Sequence, residues 1–292
     1  MTHKQLGQLY LQASVCAERL TLPLRSQVWR GMAGEFQGAG TGSSIDFQDH
    51  RAYVPGDDPR HINWQAYART GNYSMKLYRE EVRPVIDIIL DASESMFFEE
   101  SKAARTAEIF YFVTISAIQA GASTRFHFLR GDSYQELPTD AVTTHLWLDK
   151  ITTHTSANPS SPLALNKVPM RSHAIRVLIS DLLFEGDPNP QVRLLTHQQG
   201  KGIILTPFLQ SEARPEWEGN YEFVDAESTN HHPHRIEKST LRNYHKAYSE
   251  HFAQWHTAAR QFNAPLARVN SSTDLLTALN EEAISTGALV IS

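Results

Sequence analysis

The chain has a single cysteine, Cys16, among its 292 residues. An internal disulfide is therefore excluded, and we expect Cys16 to be a small buried apolar residue on the first helix. The apolar runs are far shorter than the ~20 residues that a membrane-spanning helix requires. The first ten residues also lack the apolar core of a signal peptide. These absences predict a soluble cytoplasmic protein without a membrane span.

The chain also lacks a strong excess of one charge. It carries 27 Lys and Arg against 32 Asp and Glu, a net charge of −5, and it has no basic run. This balance argues against nucleic acid as a general partner, because such proteins concentrate Lys and Arg along the phosphate backbone. The arginines of the first 83 residues are interpreted as solvated or locally paired.

Motifs of common catalytic and phosphate sites are missing as well. No Gly-x-Ser-x-Gly elbow is present, and the glycines of residues 38–42 are not followed by Gly-Lys-Ser/Thr. We therefore expect a flexible connection at residues 38–42. Three histidines surround Pro233, and we expect residues 231–234 to form a solvated loop rather than a metal site.

From residue 85 onward, strand and helix patterns alternate along the chain. The predicted strands are residues 85–90, 124–129, 175–180, 202–207, 221–224 and 265–269, and the predicted helices are residues 101–120, 141–151, 189–199, 239–262 and 273–285. Such alternation is typical of an α/β fold with a mainly parallel sheet flanked by helices. We expect this domain over residues 81–285, after an N-terminal elaboration of residues 1–80 that begins with a helix near residues 3–20.

Two of the predicted strands end in aspartate. Asp91 follows the first strand and is succeeded by Ser93 and Ser95, and Asp181 follows the strand of residues 175–180. Because the carboxyl ends of parallel strands share one edge of a sheet, these oxygens can converge there. Oxygen-only ligation suits Mg²⁺, Mn²⁺ or Ca²⁺. The alternative is an Asp helix cap with serines closing a turn.

The pattern Asp-x-Ser-x-Ser with a distant Asp resembles the metal-ion-dependent adhesion site of von Willebrand factor A-like domains, a Rossmann-like fold. Asp91, Ser93, Ser95 and Asp181 match it residue by residue. The family has a Thr between the two acidic positions; Ser161 is the candidate for that position, with Thr155 as the alternative. Two carboxylates and three hydroxyls would leave one position on Mg²⁺ for water or for an Asp or Glu of a protein partner.

A longer segment, residues 47–69, carries FQDHRAYVPGDDPRHINWQAYAR. It is similar to the signature of a bacterial family known as domain of unknown function 58, in which it precedes a von Willebrand A-like domain. The similarity extends over about residues 35–280, with Asn63 where the family most often has Asp. It implies a partner, a MoxR-type AAA+ ATPase, and an adaptor role in protein or metal-centre maturation.

The signature also has a purely structural interpretation. Pro55 and Gly56 suit a type II turn, and Asp58 followed by Pro59 predicts a helix cap with a short helix over residues 60–67. We expect Trp64 to anchor that helix to the core. Arg51, Asp57, Asp58 and Arg60 are expected to form a charged network across the turn.

Three functional hypotheses remain open. The first is a non-enzymatic interaction module with a divalent cation. The second is a metal-independent scaffold that binds through the surface of residues 51–69. The third is a Mg²⁺-dependent aspartyl phosphotransferase, which is disfavoured because Ser93 stands where such enzymes carry a second carboxylate.

A further acidic residue, Asp87, interrupts its apolar strand; we expect it to be structural and paired with an arginine of the N-terminal region.

Overall fold

The computed structural model describes residues 1–24, 45–80, 83–159, 161–224, 226 and 231–292. The chain divides into a larger unit, Met1–Leu24 with Pro84–Ser292, and a smaller unit, Arg25–Arg83. The first helix therefore packs within the α/β unit, whereas the sequence-based division groups it with residues 1–80. The glycines of residues 38–42 lie outside the described residues.

The strands and helices of the two units follow one another along the chain. The strands are β1 Leu20–Thr21, β2 Ile45–Ala52, β3 Ser74–Glu80, β4 Val85–Asp91, β5 Ser123–Arg130, β6 Ser133–Leu137, β7 Ile175–Ile179, β8 Lys201–Phe208, β9 Gly219–Val224, β10 His231–Ile236, β11 Leu266–Asn270 and β12 Val290–Ile291. The helices are α1 His3–Ala17, α2 Trp64–Thr70, α3 Glu100–Gln119, α4 Thr139–Thr143, α5 Trp147–Thr152, α6 Pro188–Thr196, α7 Gln210–Ala213, α8 Lys238–Gln261 and α9 Leu275–Glu282.

The larger unit is built on a six-stranded sheet of order β11-β8-β7-β4-β5-β6. All neighbouring strands in it are parallel except β5 and β6, which are antiparallel. The chain enters the sheet at β4, builds outward through β5 and β6, and then returns to build β7, β8 and β11 on the other side of β4. The strand order therefore reverses between β4 and β7, and such a switch point opens a crevice at the carboxyl edge of a sheet.

Helix α3 is the central buried element of this unit. Every residue from 105 to 117 is buried, including Phe110 and Phe112, and α1 packs against the same helix. Trp147 is fully buried beside it and donates its indole N–H to the hydroxyl of Tyr111 at 2.9 Å. Cys16 is buried in this core, as expected.

Local capping explains where several helices begin. The carboxylate of Asp187 accepts the backbone N–H of Asn189 at the start of α6, where Pro188 is the first helical residue. Asp274 accepts the N–H of Thr277 at the start of α9. These contacts satisfy amide groups that have no partner inside the helix.

Two predictions for the larger unit are wrong in detail. The helix predicted over residues 141–151 is two short helices, α4 and α5, separated near His145, whose φ of 63° interrupts the helical backbone. The solvated loop predicted at residues 231–234 lies in β10, which pairs with β9 in an antiparallel ribbon. Its histidines are nevertheless exposed, because a two-stranded ribbon leaves both faces of its residues accessible.

The smaller unit contains the antiparallel pair β2 and β3. The type II turn is confirmed, since the N–H of Asp57 donates to the carbonyl of Val54 at 3.0 Å and Gly56 has a φ of 109°. Arg51 forms a bidentate ion pair with Asp57, with N–O distances of 2.7 and 2.6 Å. Arg60 pairs separately with Asp58, so the predicted charged groups are two local pairs.

The helix predicted over residues 60–67 is interrupted. Asp58 caps a single 3₁₀ turn, Pro59–His61, and Asn63 then caps α2 by accepting the N–H of Ala66 at 3.1 Å. The expectation for Trp64 is wrong, because 57% of this residue is exposed. It packs edge-on against Tyr67 and Tyr73 on the surface of the smaller unit instead of entering a core.

Candidate metal centre

The carboxylate of Asp91 lies at the end of β4 and is buried, with 1% exposure. Its Oδ1 accepts the backbone N–H of Ser93 at 3.0 Å and the hydroxyl of Ser93 at 2.6 Å. Its Oδ2 accepts the hydroxyl of Ser180, at the end of β7, at 2.6 Å. These three donors are neutral, so hydrogen bonds hold the carboxylate without cancelling its charge.

Ser93 and Ser95 lie on the turn that follows β4. Ser93 precedes a 3₁₀ turn, Glu94–Met96, and its hydroxyl oxygen lies 3.2 Å from that of Ser95. Alternate residues of this turn therefore place their hydroxyls beside one another and next to Asp91. This arrangement agrees with the spacing that the sequence analysis singled out.

Asp181 is the second residue after β7 and is also buried. Its Oδ1 accepts the backbone N–H of Leu183 at 3.1 Å, and its backbone N–H contacts the sulfur of Met96 at 3.2 Å. Met96 ends the 3₁₀ turn Glu94–Met96 that follows β4, so this contact joins that turn to the turn after β7. The two aspartates thus end neighbouring strands at the switch point of the sheet.

The backbone beside Asp181 is in an unusual conformation. Leu182 is fully buried with a φ of 59°, in the left-handed region that side chains other than glycine rarely adopt. Its N–H donates to the hydroxyl of Ser180 at 3.0 Å, and its carbonyl accepts the imidazole Nε2 of His251 at 2.7 Å. Contacts on both sides therefore fix this strained residue, which orients the turn that carries Asp181.

The second oxygen of Asp181 is held by a buried lysine. The ammonium of Lys102, on α3, donates to Asp181 Oδ2 at 2.8 Å and to Glu212 Oε1 at 2.7 Å. The Lys102 side chain is 0% exposed. Burial alone would lower the pKa of Lys102, but the charges of Asp181 and Glu212 outweigh it and raise that pKa above its ordinary value, so the side chain is charged.

The electrostatics of Asp91 differ from those of Asp181. Burial and the negative charge of Asp181 raise the pKa of Asp91 from 3.8 to about 7, against the lowering effect of the hydrogen bonds from Ser180 and Ser93. When all groups are ionised, the three carboxylates of Asp91, Asp181 and Glu212 face the single positive charge of Lys102, which leaves two negative charges. A divalent cation has the charge that would balance them.

The donor set also fits such a cation. It consists of carboxylate and hydroxyl oxygens, from Asp91, Ser93, Ser95 and Asp181, and these suit Mg²⁺, Mn²⁺ or Ca²⁺. Within the described part of the chain there is no group of three or more His, Cys, Asp and Glu side chains placed to hold a metal. Any cation at this edge would therefore need the serine hydroxyls as ligands.

Among the described contacts, none connects Ser161 to Asp91, Ser93, Ser95 or Asp181. The hydroxyl of Ser161 donates to the carbonyl of Asn158 at 2.7 Å, and Asn158 is tied to Asp132 on the turn between β5 and β6. The alternative residue, Thr155, is exposed on the same loop. The role of Ser161 as a fifth ligand stays a prediction.

Sequence reasoning missed Lys102, Glu212 and Ser180. Ser180 directly precedes Asp181, and a hydroxyl at this strand end is a usable signal, because polar groups at the carboxyl edge of a parallel sheet can meet. Lys102 offers no such signal. It lies 79 residues from Asp181 and 110 from Glu212, and only the packing of α3 on the sheet brings the three groups together.

A cavity of about 430 Å³ lies on the other side of the turn after β4. Ala92 and Glu94 line it, whereas Ser93 and Ser95 belong to the hydroxyl pair beside Asp91. Its apolar wall comes from Phe97, Phe98, Leu148 and Ile151, and Arg130 pairs with Glu94 at its rim. The turn thus lies between the hydroxyl cluster and a cavity whose lining is both polar and apolar.

The fold and site define an α/β protein with two acidic strand ends at the switch point of a mainly parallel sheet. The family model described as "Protein of unknown function DUF58" matches residues 49–254, and the chain belongs to this family. No curated protein matches the chain. None of the helices within the described ranges is long and apolar enough to cross a membrane.

The solved structures that are similar to the chain include two from Bacteroides species. One is the conserved hypothetical protein BatB from Bacteroides thetaiotaomicron, with 15% identity over 70% of this chain and 98% of that chain and a TM-score of 0.38. The other is an aerotolerance-related membrane protein from Bacteroides fragilis NCTC 9343, with 14% identity over 62% of this chain and 98% of that chain and a TM-score of 0.31.

Proposed function

We propose that this protein is a non-enzymatic, cytoplasmic interaction module with a von Willebrand A-like domain that binds a divalent cation, Mg²⁺ or else Mn²⁺ or Ca²⁺. Its ligands would be Asp91, Ser93, Ser95 and Asp181, with Ser161 as a further hydroxyl. The observation that carries the proposal is the buried Asp91 carboxylate, whose hydrogen-bond donors among the described residues are all neutral and which lies beside a second acidic strand end. Buried charges are normally paired or bound to a metal.

The residues of the site have separate tasks in this proposal. Asp91 supplies charge at the centre, and Ser180 holds its Oδ2 in place. Ser93 and Ser95 supply neutral oxygens, so they do not cancel the positive charge of the cation. When bound, the cation would have an open coordination position, and an Asp or Glu of a partner would fill it.

The cavity beside the turn supports a second contact with the same partner. Phe98 is exposed, borders the cavity and lies three residues after Ser95. An apolar side chain near the acidic residue would be buried there. The partner class that the family resemblance implies is a MoxR-type AAA+ ATPase, for which we propose that this protein is an adaptor.

The experiment is a calorimetric titration of Mg²⁺ and Mn²⁺ into chelator-treated wild type, Asp91→Ala and the control Asp140→Ala. Asp140 is an exposed carboxylate on α4, so its loss leaves the strand ends intact. We expect saturable binding in wild type and control and its loss in Asp91→Ala. An absence of binding in wild type, or equal binding in all three proteins, would contradict the proposal.

The enzyme alternative has its own test. The hydroxyl of Ser93 donates to Asp91, and at neutral pH a serine hydroxyl is a poor substitute for the general acid that an aspartyl phosphotransferase needs. We therefore expect no phosphate release from an acyl phosphate in the presence of Mg²⁺. Turnover that disappears in Asp91→Asn would establish the enzyme instead.

A metal-independent scaffold is the second candidate, and Lys102 is the observation that favours it. A buried ammonium already neutralises Asp181, which reduces the need for an external cation. Such a scaffold would bind its partner through the surface of residues 51–69. Partner binding that survives both a chelator and Asp91→Ala would support the scaffold, whereas loss in both cases would support the cation module.

A further inference from the structure

The ammonium of Lys102 lies within the candidate site, although no ligand pattern in the sequence includes it. It donates to Asp181 Oδ2 at 2.8 Å, and Asp181 is one of the two carboxylates assigned to the cation. Its side chain is 0% exposed, so water does not screen its charge as it would at the surface. The positive charge is therefore screened less from the neighbouring carboxylates than a surface charge would be.

Glu212 fixes the position of that ammonium. Its Oε1 accepts Lys102 at 2.7 Å, and its Oε2 accepts the backbone N–H of Leu209 at 3.0 Å. The carbonyl of Glu212 in turn accepts the hydroxyl of Tyr244, on α8, at 2.8 Å. Lys102 is thus held between Asp181 and a carboxylate that is itself anchored at both its side chain and its backbone.

We propose that Lys102 is a built-in competitor of the divalent cation, which weakens cation binding by occupying one oxygen of Asp181 and by placing a positive charge beside the site. This inference rests on the proposed cation site and adds its regulation. The chain keeps the site at low affinity when alone, so that a stable complex forms only when a partner adds a further negative charge. Glu212 opposes Lys102 by contributing negative charge to the same cluster.

The test measures the dissociation constant for Mn²⁺ in four chelator-treated proteins: wild type, Lys102→Met, Glu212→Gln and the double variant Lys102→Met/Glu212→Gln. Electron paramagnetic resonance of free Mn²⁺ gives the readout, and circular dichroism checks that each protein is folded. We expect Lys102→Met to bind about tenfold or more tightly than wild type, because a unit charge has been removed from a buried site. Glu212→Gln should bind more weakly than wild type.

Opposite changes in the two single variants distinguish an electrostatic role from a structural one. Loss of either residue breaks the same ion pair, so general damage would weaken binding in both. If Lys102→Met fails to fold, the double variant is compared with Glu212→Gln, since these two proteins differ only at Lys102. Tighter binding by the double variant would support the proposal, and equal or weaker binding would overturn it.

The outcomes also separate this inference from the proposed function. If wild type binds Mn²⁺ and a folded Lys102→Met protein binds no more tightly, the competitor role is wrong and the cation site remains. If neither protein binds, the cation site itself is wrong and the inference falls with it. Binding by Lys102→Met in the absence of measurable wild-type binding would support the competitor role and would contradict a cation site in the isolated wild type.

Discussion

Arg171 donates hydrogen bonds to the buried carboxylate of Asp87 from both its side chain and its backbone. Its Nε donates to Oδ1 at 2.7 Å and its backbone N–H donates to Oδ2 at 2.9 Å. The same guanidinium donates to the carbonyls of Ile86 and Ser123. The expectation that Asp87 is structural and pairs with an arginine agrees with this contact. The predicted source of that arginine, the N-terminal region, is wrong, because the loop before β7 supplies it.

We expect Asp87→Asn to destabilise the protein by about 3 kcal/mol, since it leaves Arg171 without its anionic partner at a buried site. The exposed Asp149, which pairs with His3 at 3.4 Å, gives the matched control. Asp149→Asn should change stability by less than about 1 kcal/mol. Denaturant unfolding at neutral pH measures both, and equal effects would contradict the structural role of Asp87.

Asp87 also predicts a loss of stability in acid. Burial alone would raise the pKa of Asp87, but the interactions with His127 and Arg171 outweigh it and place that pKa below its ordinary value of 3.8. A depressed pKa gives stability that is present above 3.8 and is lost as the pH falls through the lower folded-state value. Wild type should therefore lose stability below about pH 4 more steeply than Asp87→Asn does.

Asp91 predicts the opposite dependence in the metal-free protein. Because burial and Asp181 raise its pKa to about 7, its contribution to stability is full below pH 3.8 and declines as the pH rises through 7. The gap between these values corresponds to roughly 4 kcal/mol. In a chelator at pH 8, Asp91→Asn should be more stable than wild type, as measured by denaturant unfolding.

Adding Mg²⁺ at pH 8 should narrow that difference. A bound cation favours the ionised carboxylate, so wild type gains stability, whereas Asp91→Asn gains little because its central charged ligand is missing. A chelated wild type that is already more stable than Asp91→Asn at pH 8 would contradict the electrostatic account of Asp91.

Two tryptophans should respond very differently to truncation. Trp147 is 0% exposed and Trp64 is 57% exposed. We expect Trp147→Ala to cost about 3–5 kcal/mol through cavity formation, and Trp64→Ala to cost less than about 1 kcal/mol. Thermal unfolding of both variants measures this, and a large loss in Trp64→Ala would show that Trp64 has the anchoring role expected from the sequence.

The single cysteine should be unreactive in the folded protein. Cys16 is buried, and burial together with the charge of Glu108 raises the pKa of its thiol. Since the thiolate is the reactive form, a disulfide reagent at pH 8 should modify Cys16 far more slowly in native protein than in protein unfolded with guanidinium. Equal rates in the two states would contradict this burial.

The sequence alone determined the order of the helices and strands in the larger unit. The predicted helices of residues 101–120 and 239–262 agree within about one residue with α3 and α8, and the predicted strand of residues 202–207 lies within β8. These elements depend on local order: apolar runs, helical periodicity and caps such as Asp187. The acidic strand ends Asp91 and Asp181 were predictable for the same reason, because each directly follows an apolar run that predicts a strand.

Only the tertiary structure decided which distant groups meet. Lys102 lies on a helix whose sides are nearly all buried, so its sequence pattern shows no outward or inward face. Its pairing with Asp181 and Glu212, like that of Arg171 with Asp87, depends on contacts between residues 79 or more positions apart. Periodicity and capping report on a few neighbouring residues, whereas the position of a charge in a core depends on how whole elements pack. The exposure of Trp64 follows the same principle, because a local pattern marks it as apolar but cannot show whether a surface covers it.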